Sequence, residues 1–225
     1  MATYKTKHEH ADHFRHVART EWFKDHKVIY TELAEGMTVV DFCKPGTHVY
    51  ALRYIYSGHY VYVSGELGCA VFDCTWQTKP VDKVWGSLWY VFEKLRASEY
   101  GRDCMDFDSK VCMEKIHDML LETDSDGVTR YEPGVWTQDE RETYNELLHA
   151  AENWSSRDGW AMAIQEIEQN NSISDLDSDW WEWLYNAGDV MPASIVGIIT
   201  GLQIVSEMLD ATFHQPENAG KDRST

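Results

Sequence analysis

Between Lys27 and Trp76 five runs rich in apolar, β-branched and aromatic residues follow one another: "KVIYTEL", "MTVVDFC", "HVYALRYIY", "YVYVSG" and "CAVFDCTW". The separators are turn chemistry, "AEG", then "KPGT" with Pro45-Gly46 suited to a type II turn, then "SGH" around Gly58. Connections this short join neighbouring antiparallel strands, because a parallel crossover needs a dozen residues or more. The spacing therefore predicts a four- or five-stranded antiparallel meander. Tyr50, Leu52, Tyr54 and Tyr56 alternate with Val49, Ala51, Arg53 and Ile55, and both sets carry apolar residues. Both faces of that strand are expected to be covered, one of them by helices.

Helical periodicity brackets the sheet. A helix is predicted ahead of it over roughly His10 to Phe23. After residue 100 the pattern turns helical throughout. "TQDE" at Thr137–Glu140 is a capping box, and Tyr144, Leu147, Leu148, Ala151 and Trp154 follow at helical spacing. Trp160, Ala163, Ile164 and Ile167 mark a second helix. From Pro192 to Phe213 the chain is apolar nearly all round, through Ile195, Val196, Ile198, Ile199, Leu202, Ile204 and Val205, which predicts a central buried helix. Gly197 and Gly201 would allow a close backbone approach to it. The fold class that follows is α+β: a helix, an antiparallel meander, then an acidic helical region ending in a buried helix. The domain reading is a sheet lobe over 1–100, an acidic helical lobe over 101–213 and a disordered tail over 214–225.

Charge is divided as sharply as structure. Of the net −18, residues 1–100 contribute nothing, with 12 Lys/Arg against 12 Asp/Glu, while residues 101–225 hold 8 against 26. Such a field repels nucleic acid and attracts basic protein surfaces, so direct nucleic-acid binding is not expected. Five cysteines without a C-x-x-C pair argue against a disulfide framework or a zinc knuckle and read as reduced thiols. The polar start "MATYKTKHEHADHF" has no apolar stretch before a small-residue cleavage site, which predicts a cytoplasmic protein. The longest apolar run, Ile195–Leu202, is well short of the roughly 20 residues that span a bilayer, so no membrane partner is expected.

Two motifs approach metal chemistry. His8, His10, Asp12 and His13 spell H-x-H-x-D-H, which looks like the zinc-binding signature of the metallo-β-lactamase family, where imidazoles and a carboxylate hold the ion that activates water. In that family the motif lies on a loop beyond an apolar strand pair; here seven polar residues precede it. "ETDSDGVTRYEP" at 122–133 begins like an EF-hand loop, but Pro133 stands where the bidentate carboxylate belongs. There is no nucleophile elbow, P-loop or dinucleotide fingerprint, so neither cofactor nor catalytic residue is assigned.

The stretch "SDLDSDWWEWLYNAGD" over 174–189 packs acids among aromatics. A helix starting near Ser174 would place Asp175, Asp177 and Asp179 about its first turn, where each gains about 0.3–1 kcal/mol from the helix dipole. Leu176, Trp180, Trp183, Leu184 and Ala187 would share its inner face, leaving Trp181 and Tyr185 on the flank. Aromatic anchors ringed by charge are common at protein interfaces. Asp175, Asp177, Asp179, Trp181, Glu182 and Tyr185 are therefore the candidate partner contacts, joined by Asp139, Glu142 and Glu146 of the preceding helix.

The segments "ARTEWFKDHKVIYTEL", "DFCKPGTHVYALRYIYSGHYVYVSGELGCAVFDCTW" and "GDVMPASIVGIITGLQIVSEML" resemble a group of uncharacterised proteins of phages and prophages of Gram-positive bacteria, over roughly residues 14–76 and 188–209. That resemblance implies a small phage-encoded protein acting in the cytoplasm of an infected host. Combined with the charge, it gives the expected function: an acidic inhibitor occupying the basic surface of a host nucleic-acid-binding defence protein such as a CRISPR nuclease. The alternatives are a metal-dependent phage hydrolase acting on a host nucleotide signal through His8, His10, Asp12 and His13, and an accessory phage protein that self-assembles through its tyrosine-rich sheet.

Overall fold

The computed structural model describes residues 5–99, 101, 104–121, 136–170, 173 and 179–213. The chain forms two compact units, one of residues 1–14 and 104–193 (unit 1), the other of residues 15–103 and 194–225 (unit 2). The division expected from composition, at residue 100, differs at both ends of the chain. Helix α1 (Lys7–Val17), which continues as a π-helical turn over Ala18–Trp22, is shared between the units, and α7 (Ala193–Phe213) groups with the sheet rather than with the acidic helices. An apolar helix and an apolar sheet face each need a cover, and in unit 2 they cover one another.

Unit 2 is built on six strands, β1 (Lys27–Ala34), β2 (Met37–Cys43), β3 (Leu52–Ser57), β4 (Tyr60–Gly65), β5 (Ala70–Asp73) and β6 (Leu95–Ser98), with the short helix α2 (Leu88–Phe92) between the last two in the chain. Their spatial order is their chain order and every pair is antiparallel, the expected meander with one strand more. The turn residues act as their chemistry requires. Gly46 takes φ 80° behind Pro45, and the Thr47 amide donates to the Lys44 carbonyl at 3.2 Å, closing the turn. Gly58, at φ 60°, opens the two-residue hairpin between β3 and β4. The strand expected to begin near Val49 starts at Leu52, because Tyr50 adopts a left-handed φ of 54°, its amide donating to Glu66 and its ring stacked on Trp22 at 5.1 Å.

Register fixes what faces inward. Val40, Tyr54 and Val63 lie side by side, as do Phe42 with Leu52 and Tyr56 with Val61, and all are buried. The outward set is not covered as expected: Arg53 is exposed and Ile55 half-buried. Helix α7 belongs to the inner side, where the Tyr54 hydroxyl donates to the Ile198 carbonyl at 2.9 Å. By length and hydropathy α7 could cross a bilayer, yet 67% of its most apolar window is buried within the fold. Its polar face is tied to the chain ahead of β1: Arg15 Nε donates to Gln203 at 3.2 Å, and Arg19 makes a two-point pair with Glu207 at 2.9 and 2.7 Å.

His26 is buried against Phe23 and Phe42 and hydrogen-bonded to the Tyr50 carbonyl at 3.2 Å. Burial holds its imidazolium below the ordinary histidine value of 6.5, with the Tyr50 bond opposing in part. A depressed folded value means that the unfolded chain takes up its proton first as pH falls. Stability is complete above the ordinary value and declines as pH drops through it toward the folded one. Thermal unfolding followed from about pH 7.5 to about pH 5.5 should show this decline, and His26→Phe should flatten it while keeping the ring contacts. An unchanged slope in that variant would remove His26 as the cause.

Unit 1 holds α3 (Ser109–Leu121), α4 (Gln138–Asn153), α5 (Arg157–Asn170) and the single-turn α6 (Trp180–Trp183), which runs into a 3₁₀ turn over Leu184–Asn186. A two-stranded ribbon, β7 (Asp106–Phe107) with β8 (Asp189–Val190), closes it. The predicted capping box is in place, with the Glu140 amide donating to Thr137 Oγ1 at 3.2 Å and the Thr137 amide to Glu140 Oε2 at 2.6 Å. Trp160, Ala163, Ile164 and Ile167 of α5 all point into a core shared with Phe107, Ile116, Leu147 and Leu184. Trp154 departs from expectation: it is the C-cap of α4, 42% exposed, and its ring lies over Gly159, where a Cβ would fall 2.2 Å from it.

Candidate interaction surface

The charge of the chain concentrates in unit 1, which holds 7 Lys/Arg against 23 Asp/Glu, net −16; unit 2 holds 13 against 15, net −2. Much of this acid stands in water. Asp139, Glu142 and Glu146 are exposed on α4, and at spacings of three and four residues they share one helix face. Glu166 and Glu168 are exposed on α5, as are Asp179 and Glu182 at and in α6.

An open groove of about 570 Å³ runs between α4 and α5, with Glu146 and His149 on one wall, Glu166 and Asn170 on the other and Trp154 at its end. Asn145 and Asn153 add amide donors and acceptors. Of this set only Glu146 was anticipated. α4 and α5 are joined by only three residues, and the first of these, the exposed Trp154, is among the residues that line the groove.

The 179–186 segment is held by α5. Trp160 Nε1 donates to the Leu184 carbonyl at 2.9 Å, and Arg157 donates to Asn186 Oδ1 at 3.0 Å and pairs with Asp189 at 3.0 Å. Only one α-helical turn precedes the 3₁₀ turn, and this changes which side chains face inward, since 3₁₀ geometry advances about three residues per turn. Tyr185, expected on the flank, is half-buried against the core cluster with its ring 5.9 Å from Trp180. Burial and the neighbouring Glu168 raise its hydroxyl above the ordinary tyrosine range. Asp179 is the N-cap of α6 without a side-chain capping bond, and Glu182 is exposed. Asp175, Asp177 and the Trp181 side chain lie outside the described residues, as do the acidic stretch at 122–133 and residues 214–225. The structure thus brings Asp139, Glu142 and Glu146 together on α4, and puts Asp179 and Glu182 on a separate segment anchored to α5.

The H-x-H-x-D-H motif is not gathered into a site. It lies on α1, where His8 and Asp12 fall about 40° apart on one face while His10 and His13 point to the other side. His10 is buried beside Phe14, ring centroids 4.9 Å apart, and burial holds its imidazolium below the ordinary value, with Asp108 and Asp106 opposing. Among the described residues no group of three or more His, Cys, Asp or Glu side chains is placed to hold a metal ion. The thiols offer no better centre: Cys74, Cys104 and Cys112 are buried, and burial pushes the Cys74 thiol up to about 11, away from thiolate chemistry. Comparisons with protein families, with curated proteins and with solved structures give no match to this chain.

Proposed function

We propose that this protein is an acidic binding protein whose helical unit occupies a basic surface on a host nucleic-acid-handling protein and keeps nucleic acid off it. The finer reading is a phage-encoded inhibitor of a CRISPR nuclease, acting in the host cytoplasm; it rests on the phage resemblance of the sequence. The observation that carries the broader reading is the segregation of net charge, −16 in unit 1 against −2 in unit 2, with a row of exposed carboxylates on α4 and further exposed carboxylates on α5. Along α4, Asp139, Glu142 and Glu146 spread three charges over about 10 Å, about 5 Å per charge, against about 3.4 Å per charge on one nucleic-acid strand. A helix row of this density competes for the same lysines and arginines. Glu166, Glu168, Asp179 and Glu182 extend the field beyond α4, and Trp154 supplies an apolar anchor at the end of the α4–α5 groove.

The test is competition. Labelled DNA bound to a purified CRISPR nuclease should be released by this protein at low salt and less so at high salt, because the attraction is screened. Asp139→Lys, Glu142→Lys and Glu146→Lys combined should weaken competition by about tenfold or more; Glu142→Lys and Glu146→Lys should each alter stability by less than about 0.5 kcal/mol, while Asp139→Lys, in the first turn of α4, should cost about 1 kcal/mol through the helix dipole. Competition that is indifferent to the triple reversal and to salt rules out the charged surface as the binding element.

A further inference from the structure

We infer that β1 is a self-association edge: two copies pair β1 against β1 in antiparallel fashion and join their six-stranded sheets into one. This does not depend on the proposed function, which uses unit 1. β1 is an outer strand, hydrogen-bonded on one side to β2 and, among the described residues, to no strand on the other; only the Tyr30 ring, 5.8 Å from that of Phe213, meets the end of α7. It is the longest strand, at eight residues, and seven of the eight are exposed. Its exposed set includes Ile29 at 56%, Tyr30 at 40% and Leu33 at 59%. A strand with free backbone donors and acceptors, apolar side chains and no proline is a template for another strand. The opposite edge is protected in the usual ways: β6 has four residues, and its Arg96 is drawn to Asp73 at 3.3 Å. On β1 a bulge between Glu32 and Ala34 is the single interruption.

Charge selects the partner and the direction. Lys24 and Lys27 stand at the entry to β1, Glu32 and Glu35 at its exit, and all four are exposed. None of them is in an ion pair among the described residues. The strip is therefore positive at one end and negative at the other. Antiparallel pairing with a second copy lays each positive end on a negative one, whereas parallel pairing lays like on like. A two-fold axis near Thr31 lays the Lys24–Lys27 end of each copy beside the Glu32–Glu35 end of the other, so that each contact occurs twice. Unit 2 itself is close to neutral, so its own charge does not oppose the approach.

Sedimentation velocity of the full chain, from micromolar to several hundred micromolar, should show a monomer giving way to a dimer. Ile29→Lys, a change at an exposed position whose retained fold is checked by circular dichroism, should weaken the dimer by about tenfold. Lys27→Glu and Glu35→Lys should each weaken it by at least about fivefold, since each brings like charges together at both ends of the interface. Mixing these two single variants should restore dimerisation, because the introduced charges then face each other across the interface and the native pair remains on the other side. A chain that stays monomeric over the whole range overturns the inference, and so does a dimer that none of these changes affects.

Discussion

Trp160→Ala should cost unit 1 about 3–5 kcal/mol, a large share of the stability of an ordinary domain. The indole is wholly buried at the centre of the helical core, stacked on Phe107 with centroids 5.9 Å apart, and its Nε1 donates to the Leu184 carbonyl at 2.9 Å. Removing it leaves a cavity among Phe107, Ile164 and Leu184 and takes away one of the two hydrogen bonds to the Leu184 carbonyl, which keeps the Ala187 amide at 3.1 Å. Trp160→Phe separates the two contributions: the ring contact stays, the hydrogen bond goes, and about 1 kcal/mol should be lost. Denaturant unfolding followed by circular dichroism measures both, free of the loss of a fluorophore. The Leu184 bond also fixes the segment carrying Asp179 and Glu182, so Trp160→Ala should reduce partner competition together with stability, where Glu142→Lys and Glu146→Lys on α4 reduce competition alone. A loss below about 1 kcal/mol for the alanine variant would show that the helical core is organised elsewhere.

The sheet was legible because its turns are written in residues with narrow conformational uses. Pro45-Gly46 and Gly58 mark their turns whatever the strands around them do. β6 left no such mark: of "LRAS" only Leu95 is buried, and its pairing with β5 passes through a register shift. Helix α7 was legible as a buried element, but its place with the sheet was not, since an apolar helix pattern does not name what covers it. The acidic surface shows the opposite balance. The capping box fixed the start of α4 and the exposed face that follows from it. The 179–186 segment could not be read in the same way, because a spacing argument assumes 3.6 residues per turn and the chain tightens to 3₁₀ at Leu184, folding Tyr185 back onto Trp180. The histidine motif failed for a related reason. Four letters that converge on a loop diverge on a helix.

Gly201→Ala should change sign with its neighbour. A Cβ at this position would lie 2.1 Å from the Tyr54 hydroxyl oxygen, closer than any real contact, and 3.1 Å from Leu52 Cδ1. Tyr54 has no room to withdraw: it is fully buried and its hydroxyl is bonded to the Ile198 carbonyl one turn away on the same helix. Either α7 moves off the sheet or that bond breaks, at about 1–3 kcal/mol, more than the roughly 0.5–1 kcal/mol that alanine gains over glycine inside a helix. In a Tyr54→Phe background the hydroxyl is gone, and the nearest remaining atoms are Leu52 Cδ1 at 3.1 Å and the ring carbon that bore the hydroxyl at 3.3 Å. There the same alanine should be neutral or stabilising. The double-mutant cycle should therefore show a coupling of about 1–3 kcal/mol between the two positions. Gly197 is a milder case, since a Cβ there meets Leu67 Cδ1 at 2.7 Å and Trp22 Cζ3 at 2.8 Å, and the leucine end is free to turn. If the cost of Gly201→Ala is the same with and without the Tyr54 hydroxyl, the close approach of α7 to β3 is not what the glycine serves.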